Sequence, residues 1–242
     1  MTDRPAATAL LVVAHGDGGA DPRDDTVRTL AERLAKRLDM PVDWATLKRP
    51  ETFARARERL GAAAERLVVY PLFMAAGFFV RVKLPKLLAE AGFEDSRLLP
   101  VFGLDAALVG LVEHRLRSIA SMQGGGEPKD FRIALIAHGS ASGDTGSRRA
   151  AEAIAADLGY RLGTALHLGF IEEAPFFGEV IGAGSQIVVG LFVSAGTHAL
   201  DDVAALVAET PGVLHHVATV GDDAGVAEMV VAALEGRWST PT

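Results

Sequence analysis

Apolar and polar positions alternate along the chain in a regular way. Short, nearly continuous apolar runs at 8–14, 42–47, 66–73 and 97–101 are separated by stretches with helical spacing of apolar residues at 23–38, 51–63, 81–92 and 104–120. The same order then recurs. Apolar runs fall near 131–137, 162–170, 186–193 and 213–220, with helical patterns near 144–158, 175–182, 199–209 and 222–235. Apolar runs without an in–out alternation are strands buried on both faces, the signature of parallel sheets covered by helices. The pattern predicts an α/β protein with two four-stranded parallel sheets, each with helices on both faces.

The recurrence is also visible residue by residue, which makes it a duplication. Ala9–Ala14 with His15-Gly16-Asp17 returns as Ile133–Ala137 with His138-Gly139-Ser140. Pro71–Phe79 returns as Gly190–His198, with Gly77 aligned to Gly196, and Gly103-Leu104-Asp105 returns as Gly221-Asp222-Asp223. Three blocks in the same order predict tandem domains over 1–121 and 131–238. The segment 122–130, with Gly124-Gly125-Gly126-Glu127-Pro128, reads as a flexible linker.

In such sheets ligands sit beyond the carboxyl ends of the strands. In the second copy that rule selects His138 after the first strand, Glu172 after the second and His198 after the third. Two imidazoles and a carboxylate form a nitrogen–oxygen set suited to a divalent first-row metal, with open positions left for a substrate. Each residue alone reads as structural more readily than functional, and Glu173 competes with Glu172. Their joint placement on one rim carries the functional reading. His114 reads as a solvated helix residue and His167 as lying in mid-strand. His215 and His216, adjacent on a strand, point to opposite faces. The first copy keeps His15 but has Phe79 in place of the second histidine and Lys48 in place of the glutamate. A phenylalanine cannot ligate and a lysine repels a dication, so that half is expected to be metal-incompetent.

Composition narrows the chemistry. Cysteine is absent, which excludes disulfides, iron–sulfur clusters and thiolate metal sites. A net charge of -7 argues against a nucleic-acid partner. The apolar run Ala6–Ala14 follows Arg4 as a signal peptide would, but it lacks a cleavage pattern and recurs internally, so it reads as a strand. No segment has the ~20 apolar residues of a membrane span. The expected compartment is the cytoplasm, without a membrane partner. Rival enzymes lack their motifs. A histidine phosphatase needs an arginine before its His-Gly, where Ala14 and Ala137 stand. The third glycine of a dinucleotide fingerprint starting at Gly16 would fall at Asp21, and no serine sits in a Gly-x-Ser-x-Gly elbow.

The blocks at Ala137–Ser140, Phe170–Glu172 and Leu191–His198 resemble those of the class II chelatases, the sirohydrochlorin cobaltochelatases and ferrochelatases of the CbiX type. The resemblance spans nearly the whole chain, and the Leu191–His198 block is its most specific part. It implies insertion of Co2+, Fe2+ or Ni2+, as substrate and without an organic cofactor, into sirohydrochlorin or a related tetrapyrrole. It further implies that His138 and His198 hold the metal and that Glu172 ligates it or removes protons. Ser140 would touch the substrate. The basic stretch with Arg81, Lys83 and Lys86 would form a cationic wall for the polycarboxylate, unless it is an ordinary solvated helix start. The two halves would face each other across a pseudo-twofold cleft within a monomer. The alternative is a non-catalytic tetrapyrrole- or metal-binding descendant, against which the retention of all three second-half residues weighs.

Overall fold

The structure, a computed structural model, describes residues 9–16, 25–141, 145–184, 186–194 and 198–236, with the backbone only at Asp25 and 198–200. Two parallel four-stranded sheets form the framework. The first contains β1 (Ala9–Ala14), β2 (Val42–Thr46), β3 (Leu67–Pro71) and β4 (Arg97–Leu98) in the order β2-β1-β3-β4. The second contains β5 (Ile133–Ala137), β6 (His167–Phe170), β7 (Ile187–Gly190) and β8 (His215–Val217) in the order β6-β5-β7-β8. The expected fold class and the duplication of the sheet are therefore both present.

The central strands are apolar throughout because both of their faces are covered. Every residue of β1 and of β5 is buried. Covering helices include α1 (Asp25–Ala35), α2 (Glu51–Leu60) and α3 (Leu84–Glu90) at the first sheet, and α5 (Gly146–Leu162), α6 (Phe177–Gly182) and α7 (His198–Glu209) at the second. Around β5 and β7 the core joins Ala134, Ile136, Val188 and Phe192 to Val180 and Ile181 of α6 and Val203 of α7.

The remaining helices, α4 (Ala106–Met122) and α8 (Val226–Leu234), do not pack where their place in the repeat would put them. The chain divides into two compact units. One ends at Phe102 and takes in the chain again from Val226, while the other runs Gly103–Gly225. Helix α4, encoded with the first copy, packs on α5, and α8, encoded with the second, packs on α1. The exchange begins at the third repeated block. Asp105 caps α4 by accepting from Ala107 N at 2.9 Å, and Asp223 accepts from Gly225 N at 2.9 Å just before α8. Gly221 in that block cannot be another residue, since a Cβ there would lie 2.0 Å from Val193 O. A repeat in sequence matches residues to residues; it carries no record of which sheet a helix covers.

Several boundaries differ from the periodicity. The run read as a strand from 162 begins with the end of α5. Gly163 stops that helix in the left-handed conformation at φ 65°, and β6 starts only at His167. Strand β8 keeps only three of the residues in the run 213–220. Pro128–Asp130 in the expected linker forms a short 3-10 turn. The helical stretch expected from 81 opens with a π-type turn, Phe79–Lys83, before α3. Among the described residues no helix is long and apolar enough to cross a membrane.

Candidate functional site

The carboxyl rim of the second sheet is assembled by backbone hydrogen bonds that continue the β5–β6 pairing beyond the strands. Ile171 N donates to Ala137 O at 3.1 Å, and Glu172 N donates to His138 O at 3.0 Å. This extension brings the two side chains together. His138 Nδ1 and Glu172 Oε2 lie 3.6 Å apart, both well exposed. Glu172 Oε2 also accepts from Ala141 N at 3.1 Å, which uses one of the roughly four acceptor positions of a carboxylate. His198 is the first residue of α7, the helix that follows β7; its side chain lies outside the described residues, and its place in the site remains a proposal. Among the described residues no group of three His, Asp or Glu side chains is close enough to hold a metal. What is visible is the His138–Glu172 pair.

Glu173, the competing acid, has a different setting. Its Oε1 accepts from Ser140 N at 3.1 Å and its Oε2 pairs with Arg148 Nε of α5 at 2.8 Å. Arg148 also donates to Ala174 O and lies 4.3 Å over the Phe170 ring. The Glu173 ion pair is the leading cause that raises the Arg148 guanidinium above its ordinary range. Glu173 thus props the Gly139–Ala141 turn that carries the donor to Glu172. This strut was not legible in the sequence, although an arginine in the first turn of α5 together with a Glu-Glu doublet is a readable sign of one. Ser140 enters it through its main chain.

The turn depends on Gly139. Its φ is +74°, and a Cβ there would lie 2.9 Å from Glu173 Cγ and Oε1 and 3.1 Å from Phe170 Cβ. The Gly139→Ala variant should lose about 2–3 kcal/mol of stability in denaturant unfolding. A loss below about 0.5 kcal/mol would show that the strut yields freely.

The rim of the first sheet has the same backbone plan. Leu47 N donates to Ala14 O at 3.1 Å and Lys48 N to His15 O at 3.0 Å. Lys48 is therefore the positional counterpart of Glu172, as the sequence suggested, and Arg49 that of Glu173. His15 Nδ1 lies 3.0 Å from Gly16 O, and its ring meets Phe79 edge-on with centroids 4.6 Å apart. Of the expected cationic wall, Arg81 Nε donates to Ala76 O in its own loop and Lys86 pairs with Glu90 at 3.7 Å on the exposed side of α3. Lys83 instead holds its ammonium 5.9 Å from the Phe79 ring centroid. His167 is the first residue of β6 and not a mid-strand one, His215 and His216 open β8, and His114 lies within α4. Burial, then Arg132, holds His167 below the ordinary imidazole range, and burial, then His215, does the same for His216.

Comparisons with known proteins point one way. The CbiX family model matches residues 9–119. A solved structure of CbiX, described as the terminal enzyme for biosynthesis of siroheme in denitrifying bacteria, is 32% identical. The match covers 96% of this chain and 100% of that one, with a TM-score of 0.77. SirB from Bacillus subtilis with Fe3+ is 19% identical over 95% of this chain and 94% of that one, with a TM-score of 0.72. DR2241 from Deinococcus radiodurans, a multi-domain protein with structural similarity to chelatases, is 18% identical over 95% of this chain and 55% of that one, with a TM-score of 0.69. At these identities the last two likenesses speak for the fold alone. No curated protein matches the chain.

Proposed function

Since the chain belongs to the CbiX family, we propose that it inserts a divalent metal, Co2+ or Fe2+, into sirohydrochlorin or a related tetrapyrrole, with the second rim as the metal-handling site. The observation that carries this reading is the pairing of His138 with Glu172 at 3.6 Å on the rim of the second sheet, in a chain 32% identical to CbiX over 96% of its length.

The chemistry sets three requirements. The ion must shed part of its water, two pyrrole N–H protons must leave, and the ion must be held loosely enough to be given up. His138 and His198 would supply neutral imidazole nitrogens, which bind a first-row dication in exchange for water. Glu172 lies beside His138, with one oxygen steadied by Ala141 N. It can complete the coordination or accept a proton from the macrocycle. Each ion inserted displaces two protons, so the macrocycle ends with unchanged charge and both protons pass to bases and then to solvent. Partial exposure of both side chains suits a site that must release its ion. Arg81, Lys83 and Lys86 would attract the carboxylates of the substrate, with Lys83 the best placed of the three. The nitrogen–oxygen ligand set obeys the general affinity order of divalent metals and leaves the choice to supply.

An anaerobic single-turnover reaction with sirohydrochlorin and Co2+, Fe2+ or Ni2+ tests the reading. Spectral conversion to the metallated pigment, faster than without protein, is expected. Pigment that binds but stays metal-free would instead identify a carrier.

A further inference from the structure

Glu172 and Glu173 are adjacent in sequence, yet their carboxylates are held in different ways. Arg148 clamps the second of them. Its Nε donates to Glu173 Oε2 at 2.8 Å, Nη2 donates to Ala174 O, and Nη1 meets Glu152 of its own helix at 3.3 Å. All three nitrogens are engaged while the guanidinium lies on the Phe170 ring, so the planar fork keeps little freedom. The Arg148 and Glu173 side chains are 26% and 25% exposed, against 49% and 40% for His138 and Glu172. The clamp reaches the more exposed pair in two steps. Glu173 Oε1 accepts from Ser140 N at 3.1 Å, and the next amide, Ala141 N, donates to Glu172 Oε2 at 3.1 Å. That same Oε2 lies 3.6 Å from His138 Nδ1. Consecutive amides of one turn therefore hold both carboxylates, one anchored by Arg148 and the other beside the histidine.

We infer that Arg148 is a positioning residue for metal capture: through Glu173 and the Ser140–Ala141 amides it pre-sets Glu172 beside His138. The inference rests on the metal-handling site proposed above and adds to it a residue of α5. Its physical basis is preorganisation. A free glutamate side chain gives up rotamer freedom when it binds an ion, and one already held gives up less. A bound ion itself fixes the carboxylate, so the advantage lies in affinity and vanishes from the rate at saturating metal. Arg148 thus sets how much metal the site needs and takes no part in the proton step.

The test combines equilibrium Co2+ titration with anaerobic single-turnover metallation of sirohydrochlorin across Co2+ concentrations. The proteins are wild type, Arg148→Met, Glu172→Ala and the double variant. Arg148→Met should raise both the Co2+ Kd and the half-saturating Co2+ concentration roughly ten-fold, with the rate at saturating Co2+ within about two-fold of wild type. In the Glu172→Ala background the same substitution should move Kd by less than about two-fold, because the group it positions is gone. Glu173→Gln removes the charge that holds Arg148 and should show the same pattern, a raised Kd that disappears with Glu172→Ala. It keeps the test open if Arg148→Met does not fold. Equal changes in Kd with and without Glu172 would overturn the inference and leave Arg148 a structural residue. Wild type that binds Co2+ with this coupling but never metallates the pigment keeps the positioning role and removes the reaction. Metallation by wild type with an unchanged Kd in Arg148→Met and Glu173→Gln removes the positioning role alone. Absence of Co2+ binding by wild type overturns both.

Discussion

Replacing His138 by alanine is expected to lower single-turnover metallation at limiting metal by at least about a hundred-fold, while the denaturation midpoint stays close to wild type. The two halves of this expectation have separate grounds. His138 lies beyond the end of β5 and is about half exposed, so its removal opens no cavity. Its backbone remains tied to Glu172 N, which preserves the rim. Under the proposed ligand set, what is lost is an imidazole nitrogen, and with it a large part of the affinity for the metal. His198→Ala should behave alike under the proposed ligand set. Near-wild-type turnover by either variant at limiting metal would remove that histidine from the site.

The Glu172→Gln variant is expected to separate binding from chemistry. The amide keeps the size of the side chain and an oxygen able to accept from Ala141 N, so the turn should persist. It cannot take a proton. If Glu172 removes the pyrrole protons, the rate constant should fall by about 10²–10⁴-fold while metal affinity falls only a few-fold. Equal losses in both would instead make Glu172 chiefly a ligand. Glu173 offers the contrast. It is engaged by Arg148 and Ser140 N, so its amide variant should act on stability more than on the proton step.

The arrangement of the rim was legible because strand ends are readable. The apolar runs Ala9–Ala14 and Ile133–Ala137 end at their histidines, and a parallel sheet brings such ends to one edge. The counterpart relation of Lys48 to Glu172 was legible from the repeat, and the matching hydrogen bonds to His15 O and His138 O give it a structural basis. Two kinds of feature were not legible. One is tertiary choice: α4 and α8 carry apolar faces that would satisfy either sheet, and only packing assigns them. The other is local competition, as at Leu162, where an apolar residue belonging to the last turn of α5 read as the start of a strand. Gly163 was the signal that should have separated the two. The different settings of Glu172 and Glu173 likewise depend on Arg148, which only the folded chain brings to one of them.

The expectation that only the second copy handles metal is tested most directly by counting Co2+ bound per chain at equilibrium in wild type, His15→Ala and His138→Ala. One ion is expected in wild type, one in His15→Ala and a lost or severely weakened site in His138→Ala. Two ions in wild type, with one of them lost in His15→Ala, would contradict it and return the first rim to metal chemistry.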